Sequence, residues 1–300
     1  MLMTFDNACE LHKIKAIYPT SRLVLRLLPP DESNSTIKLG NKFGASSKAA
    51  CKLLETAKDL DLNIVGVSFH VGSGNHEPSS YYAAVVLAKE IFDHAQKIGF
   101  NLNLLDIGGG YPGLWDEMKD FEKIVAGLRQ GLMENFPPSS NVKIIAEPGR
   151  YLVSSACNIA LTVISKCIDY KEREFPGGLD IQAGVPECNK HFTYYLNDGV
   201  RGSFMDCLLL EDSHVTPTIT NPERYADEPQ YNSTLCGPSC EARDVLHPSL
   251  KLPELDEDER LWFKNMGAYT IPFYSGYGGA KRQRKFYVME NKYWLVLFSL

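Results

Sequence analysis

No run of about 18 unbroken apolar residues occurs in the chain, so the sequence offers no hydrophobic membrane-spanning helix. The opening residues, MLMTFDNACELHKIKAIYP, lack the cationic start and apolar core of a secretory signal, and the chain therefore reads as cytoplasmic. Excess positive charge is missing too: 31 Lys and Arg stand against 37 Asp and Glu, a formal net charge of −6. That leaves no electrostatic footprint for nucleic acid or an anionic membrane, and a small molecule is the expected partner. The eight cysteines, at 9, 51, 157, 167, 188, 207, 236 and 240, form no CxxC pair and no zinc-type spacing with histidine. A reduced protein with no metal site is expected. What is present is an ordinary globular composition, 44% hydrophobic and 11% aromatic over 300 residues, enough for one large or two ordinary domains.

Up to about residue 150, short apolar runs alternate with longer amphipathic ones. RLVLRLL (22–28), NIVGVSFHV (63–71), LNLLDI (102–107) and VKIIAE (142–147) read as strands. SSKAACKLLETAKDL (46–60), opened by a Ser cap, the segment 79–99, closed by Gly99, and the segment 116–136 read as helices. Strands separated by helices imply a parallel sheet or barrel. After residue 150 the pattern turns β-rich: 159–170, 191–200, 260–273 and 285–298 read as strands of an antiparallel domain, and 171–190 as an exposed loop. The expected domains are 1–155 and 156–300, the last segment of the chain being free to pack back on the first.

Three strand ends carry polar chemistry, and the carboxyl ends of parallel strands are where such folds bind ligands. FHVGSG places His70 and Ser73 after a buried strand. DIGGGYPG places Gly108, Gly109 and Gly110 where a buried strand gains nothing from glycine, which suggests close approach to the backbone, with free N–H groups able to cradle a phosphate. IIAEPGRY places Glu147, Pro148, Gly149 and Arg150 together. Taken singly, a structural histidine, a tight turn and an ion pair explain each of them. Taken together, they match one cofactor, pyridoxal 5′-phosphate. It needs its phosphate held, its ring stacked and its pyridine nitrogen kept protonated by a carboxylate such as Glu147.

The segments TFDNACEL, LVLRLL, KFGAS, VGVSFHVGSG, LDIGGGYPG, IIAEPGRYLVSSA, YYLNDGVRGSF, GPSCE and FKNMGAYT resemble the eukaryotic ornithine decarboxylases, in the family's order and nearly its spacing. The resemblance implies the fold shared with alanine racemase: α/β plus β, here the C-terminal half of a pyridoxal-phosphate-binding (β/α)8 barrel followed by an antiparallel β domain. It implies that His70 stacks on the ring, that Ser73, Gly110 and Tyr269 contact the phosphate, and that Glu147 pairs with the pyridine nitrogen, with Arg150 supporting and Arg26 nearby. Cys240 is then the acid that reprotonates the decarboxylated carbon, reaching the site of the partner subunit in a homodimer. The implied activity is decarboxylation of an amino acid, ornithine or a near relative, in putrescine and polyamine synthesis. The alternative is a non-catalytic regulator like the family's antizyme inhibitors, with antizyme as its partner.

The chain departs from the family in two ways. It begins after a stretch in which the family carries the lysine that bonds the cofactor, and reads as N-terminally truncated. No lysine here takes that place: Lys13, Lys15 and Lys38 lie outside the strands and Lys143 begins one, so the 300-residue chain by itself is expected to have no decarboxylase activity. The acids that hold the substrate's far end are also altered. Leu210 and Glu211 stand near the family's Tyr-Asp pair, and Glu241 follows Cys240 where the family has Asp. Each acid is one methylene longer, enough to shift a charge by about 1 Å, and a different amino acid such as lysine becomes a candidate substrate.

Overall fold

The chain is described here from a computed structural model that places residues 1–30, 34–113, 118–170, 190–209, 215–277 and 281–298. They fall into two compact units, Met1–Ile159 with Leu209 and Lys264–Ala268, and Ala160–Leu208, His214–Phe263 and Tyr269–Leu300.

In the first unit the strands β1 (Leu2–Phe5), β2 (Arg22–Leu27), β3 (Asn63–Phe69), β4 (Leu104–Asp106) and β5 (Lys143–Ile145) form one sheet. They stand side by side in chain order and all run parallel. Helices α1 (Ala8–Ile17), α2 (Ser47–Asp59), α3 (Pro78–Lys97) and α4 (Met118–Asn135) connect them. A sequential order with a helix after each strand is the signature of a barrel wall. α2 forms because Ser46 caps it, accepting the Ala49 N–H, and because Ala50, Leu53, Leu54 and Ala57 recur at helical spacing and are all buried. α3 starts with a proline in its first turn and is followed by Gly99 at φ +96°, the left-handed stop that glycine accepts.

Alternation along the strands divides the sheet's two faces. Leu23, Leu25, Leu27, Val67, Phe69 and Leu105 join the large core beneath the helices. Val24, Val65 and Leu104 form a separate small cluster with Ile145. Further along that helix-free face, Arg26, Ser68 and Asp106 lie in register with Ile145.

Five strands, rather than the expected four, make this sheet, because the short β1 also pairs with β2. A five-residue helix, α5 (Gly149–Val153), follows β5. The return segment bonds back to the end of the unit through Met266 N–H to Cys157 O (2.7 Å) and Gly267 N–H to Ser154 O (2.9 Å).

The second unit is a six-stranded sheet of β6 (Ile159–Tyr170), β7 (Lys190–Leu196), β8 (Thr218–Ile219), β9 (Tyr231–Cys236), β10 (Val245–Leu252) and β11 (Arg260–Phe263). Its order is β10-β9-β7-β6-β11-β8. The pairs β10–β9, β7–β6 and β11–β8 are antiparallel, and β7 and β9 run parallel. α6 (Met205–Leu209) follows the turn after β7.

Two expected strands are corrected. The run 260–273 is strand only to Phe263, because Lys264–Ala268 turns back onto the first unit. The run 285–298 contains instead the helix α7 (Asn291–Phe298) and pairs with no strand among the described residues. β-propensity acts through neighbouring strands, and Tyr287 at 96% and Val288 at 92% exposure have none. The loop expected at 171–190 falls, but for its last residue, outside the described residues, as do Leu210 and Glu211. Among the described residues no helix is long and apolar enough to cross a membrane.

Candidate active site

The carboxyl end of the parallel sheet gathers Arg26, Ser68, His70, Asp106 and Glu147. His70 lies two residues beyond Ser68 and Glu147 two beyond Ile145, so alternation carries both toward the helix-free side. Electrostatic coupling of Arg26 to His70 and to Asp106, and of Glu147 to Asp106, places these groups in one neighbourhood. Arg26 also stacks its guanidinium 4.8 Å from the centre of the Phe43 ring. Glu147 is exposed at the rim.

His70 is held as a neutral ring. Its Nδ1 accepts the Gly72 N–H at 3.0 Å, which leaves the ring proton on Nε2. Burial, with the Arg26 cation adding to it, lowers its pKa from 6.5 to about 4. An uncharged, fixed imidazole is what stacking on an aromatic ring requires.

The three glycines answer to steric demand. A methyl on Gly108 would strike Phe69 O and come within 2.9 Å of His70 Cα. On Gly109 it would lie 2.5 Å from Glu147 O and 3.2 Å from His70 Nε2, and on Gly110 it would strike Gly72 O and lie 3.0 Å from His70 Cε1. Gly108 and Gly110 also take φ of +65° and +84°. The loop is thus wedged between the ends of β3 and β5. Of the three N–H groups expected to be free, that of Gly108 is engaged by Asp106 Oδ1 (2.9 Å), while those of Gly109 and Gly110 have no acceptor among the described residues.

Asp106, absent from the motif reading, is the residue that organises this turn. It is 9% exposed, and burial raises its pKa; Glu147 pushes the same way, while the Gly108 N–H and Arg26 oppose. A carboxyl at the end of a buried strand, just before a glycine triplet, is a signal the sequence did contain. A second overlooked group fixes the loop after His70. Ser35 Oγ donates to Val71 O (2.5 Å) and accepts from Asn75 Nδ2 (3.0 Å), and Tyr81 donates to Asn75 O (3.1 Å). Ser73, half-buried, exchanges both backbone bonds with Ile37 at 3.1 Å. Pro148 and Gly149 lead into α5, and Arg150 lies within it, half-buried.

The second unit carries Cys240, Glu241 and Tyr269. Cys240 is exposed in the loop joining β9 to β10, its Sγ 4.0 Å from the Tyr277 hydroxyl. The loop is pinned to the turn after β7 by the buried Asp244, which accepts from Val200 N (2.8 Å) and Ser239 N (3.0 Å). Glu241 is paired with Arg201, whose cation holds its carboxyl below the usual range. A cavity of about 280 Å³ is lined by Asn197, Asp198, Arg201, Ser239, Asp244 and Tyr277, among others. Tyr269 is half exposed and stacks on Phe273 with centroids 5.5 Å apart, at the uncommon φ of +53°.

A parallel sheet with helices on one face, and on the other a neutral histidine, a glycine loop and carboxylates at its carboxyl end, defines a cofactor-binding barrel wall of the pyridoxal type. Residues 1–154 match the family described as pyridoxal-dependent decarboxylase, pyridoxal binding domain, and the chain belongs to that family. It is 41% identical over 297 residues to the ornithine decarboxylase of Mus musculus, covering 99% of this chain and 62% of that protein. It is 42% identical over 293 residues to antizyme inhibitor 2 of Xenopus laevis, covering 98% and 62%. The crystal structure of the Paramecium bursaria Chlorella virus arginine decarboxylase bound to agmatine superposes with a TM-score of 0.79 at 33% identity, over 93% of this chain and 69% of that one. The chain thus spans about 62% of the length of the curated relatives it matches. The family's cofactor is pyridoxal phosphate, and the donor set fits it: the N–H groups of Gly109 and Gly110, without an acceptor among the described residues, stand beside the neutral His70.

Proposed function

We propose that this protein is an ornithine-decarboxylase-like, pyridoxal-phosphate-dependent amino acid decarboxylase, a carbon–carbon lyase of putrescine and polyamine synthesis, acting as a cytoplasmic homodimer with domains 1–155 and 156–300. The observation that carries the reading is the convergence of Arg26, neutral His70, Asp106 and Glu147 around the glycine loop. When bound, pyridoxal phosphate supplies an electron sink for the electron pair left by the departing carbon dioxide. His70 offers a flat, uncharged face to the ring. The N–H groups of Gly109 and Gly110, with Ser73 and Tyr269, hold the phosphate. Glu147, supported by Arg150, keeps a proton on the pyridine nitrogen, and Pro148 and Gly149 set its position. Asp106 shapes the loop by holding the Gly108 N–H. Cys240 gives a proton to the substrate carbon of the partner subunit's site, and Glu211 and Glu241 stand at the substrate's far end.

A second reading is an antizyme-inhibitor-like regulator. It is favoured by the engagement of Glu241 with arginine. The test is carbon dioxide release from L-ornithine and L-lysine by the chain supplied with pyridoxal phosphate. Release that vanishes in Glu147→Ala supports the enzyme. A chain that releases none but captures antizyme supports the regulator, and one that releases none, captures no antizyme and binds no pyridoxal phosphate contradicts both.

A further inference from the structure

The formal net charge of −6 averages over an uneven chain. Between residues 281 and 294 stand Lys281, Arg282, Arg284, Lys285 and Lys292 against the single acid Glu290, so the rest of the chain is more acidic than the average suggests. Lys292 pairs with Glu290 at 2.6 Å. The other four meet no carboxylate among the described residues; Arg282 and Arg284 instead lie 5.4 and 5.3 Å from the ring centres of Tyr274 and Phe286.

A run of cations alone is ordinary solvated surface. Here it leads directly into Phe286, Tyr287 and Val288, which are 73%, 96% and 92% exposed, and then into α7, where Tyr293 and Trp294 are each 54% exposed. Bulky apolar residues exposed side by side mark a surface that something covers. A second copy of the same segment is a poor cover, because a two-fold contact brings a patch against itself and would set one cation run on another. A nucleic acid engages cations and aromatic rings but has no use for Val288, Met289 or the aliphatic residues in the α7 sequence, NKYWLVLF. An anionic bilayer uses all of them. Its headgroups attract the cations, Tyr and Trp settle at headgroup level, and aliphatic residues enter the acyl boundary. The eight residues of α7 extend about 12 Å, far short of the ~30 Å hydrocarbon core, so such a segment lies in the surface and does not cross it.

We propose that residues 281–298 form a membrane-surface anchor that docks the protein reversibly on bilayers containing anionic lipid. The cation run sets the preference for negative headgroups, and Phe286, Tyr287 and Val288 with α7 set the depth. This goes beyond the pyridoxal reading and does not depend on it.

The test is co-sedimentation of the full chain with vesicles of phosphatidylcholine alone and of an equal mixture with phosphatidylserine. Wild type should pellet with the anionic vesicles, stay in solution with the neutral ones and be released by raised salt. Each cation near an anionic surface raises affinity about fivefold, so replacing Lys281, Arg282, Arg284 and Lys285 together by Gln should weaken binding at least about a hundredfold. Phe286→Ser, Tyr287→Ser and Val288→Ser combined should weaken it about tenfold or more with every charge in place. Wild-type tryptophan emission should also shift to the blue on anionic vesicles, and the shift should be lost in Trp294→Phe. The proposal is overturned if wild type ignores anionic vesicles or binds neutral ones equally, if either multiple variant binds as tightly as wild type, or if the blue shift survives in Trp294→Phe. It is overturned as well if a single-stranded oligonucleotide competes the chain off the vesicles and binds the serine variant as well as wild type, or if the serine variant changes the oligomeric state in solution instead of the vesicle binding.

Discussion

Replacing His70 with Asn removes the half-buried imidazole of the candidate site while keeping, in Asn Oδ1, an acceptor for the Gly72 N–H. The folded chain holds His70 neutral down to about pH 4, whereas an unfolded histidine titrates near 6.5. Between those values the unfolded chain binds a proton that the folded chain refuses. Stability contributed at this position is therefore intact above pH 6.5 and lost as pH falls toward 4. With those two pKa values the loss amounts to about 2 kcal/mol at pH 5 and almost nothing at pH 7.5. Carboxylates titrate in wild type and variant alike, so the difference between them isolates the histidine. Urea unfolding at several pH values is the assay. The stability gap between wild type and His70→Asn should shift by about 2 kcal/mol in the variant's favour on going from pH 7.5 to pH 5. A gap that stays constant across that range refutes the claim that His70 is held neutral.

Other outcomes follow from the same geometry. Gly110→Ala combines a left-handed φ with a clash against Gly72 O, so it should lower stability by about 1–3 kcal/mol and weaken cofactor binding; a variant that unfolds at the wild-type urea midpoint and binds normally contradicts the wedge. Leu54→Ala opens the fully buried core between α2 and the sheet and should cost about 2–5 kcal/mol by urea unfolding, with a loss near zero counting against the packing described. Asp106→Asn can keep an acceptor for Gly108 while removing the charge; it should leave the fold intact and alter cofactor affinity, and an unchanged affinity would show that Asp106 serves the turn alone.

The helical units were legible where burial follows a single period. In α2 the apolar positions and the Ser46 cap give the element nearly to the residue, and the strand β6 coincides with the apolar run 159–170. β1 and α1 escaped notice because β1 has four residues, of which only Phe5 is buried, and α1 buries only Leu11 and Ile14. β10 was hidden by Pro248, which reads as a break yet sits where the register shifts between His247 and Leu250. The polar strand ends with His70, Gly108–Gly110 and Glu147 were visible because local motifs carry them. Asp106 looked like an ordinary strand ending until its bond to Gly108 appeared. The pairing of Arg201 with Glu241 spans 40 residues of chain and depends on how β7 and β9 are laid side by side, which no local pattern encodes.

Saturable binding of pyridoxal phosphate to the chain tests the pyridoxal site most directly, read as quenching of intrinsic fluorescence during titration at pH 7.5. Wild type should saturate at one cofactor per chain. His70→Ala and Glu147→Ala should each weaken binding about tenfold or more while urea unfolding shows the chains still folded. A wild-type chain that does not saturate, or variants that bind as tightly as wild type, would contradict the assignment of the carboxyl end of the parallel sheet as the cofactor site.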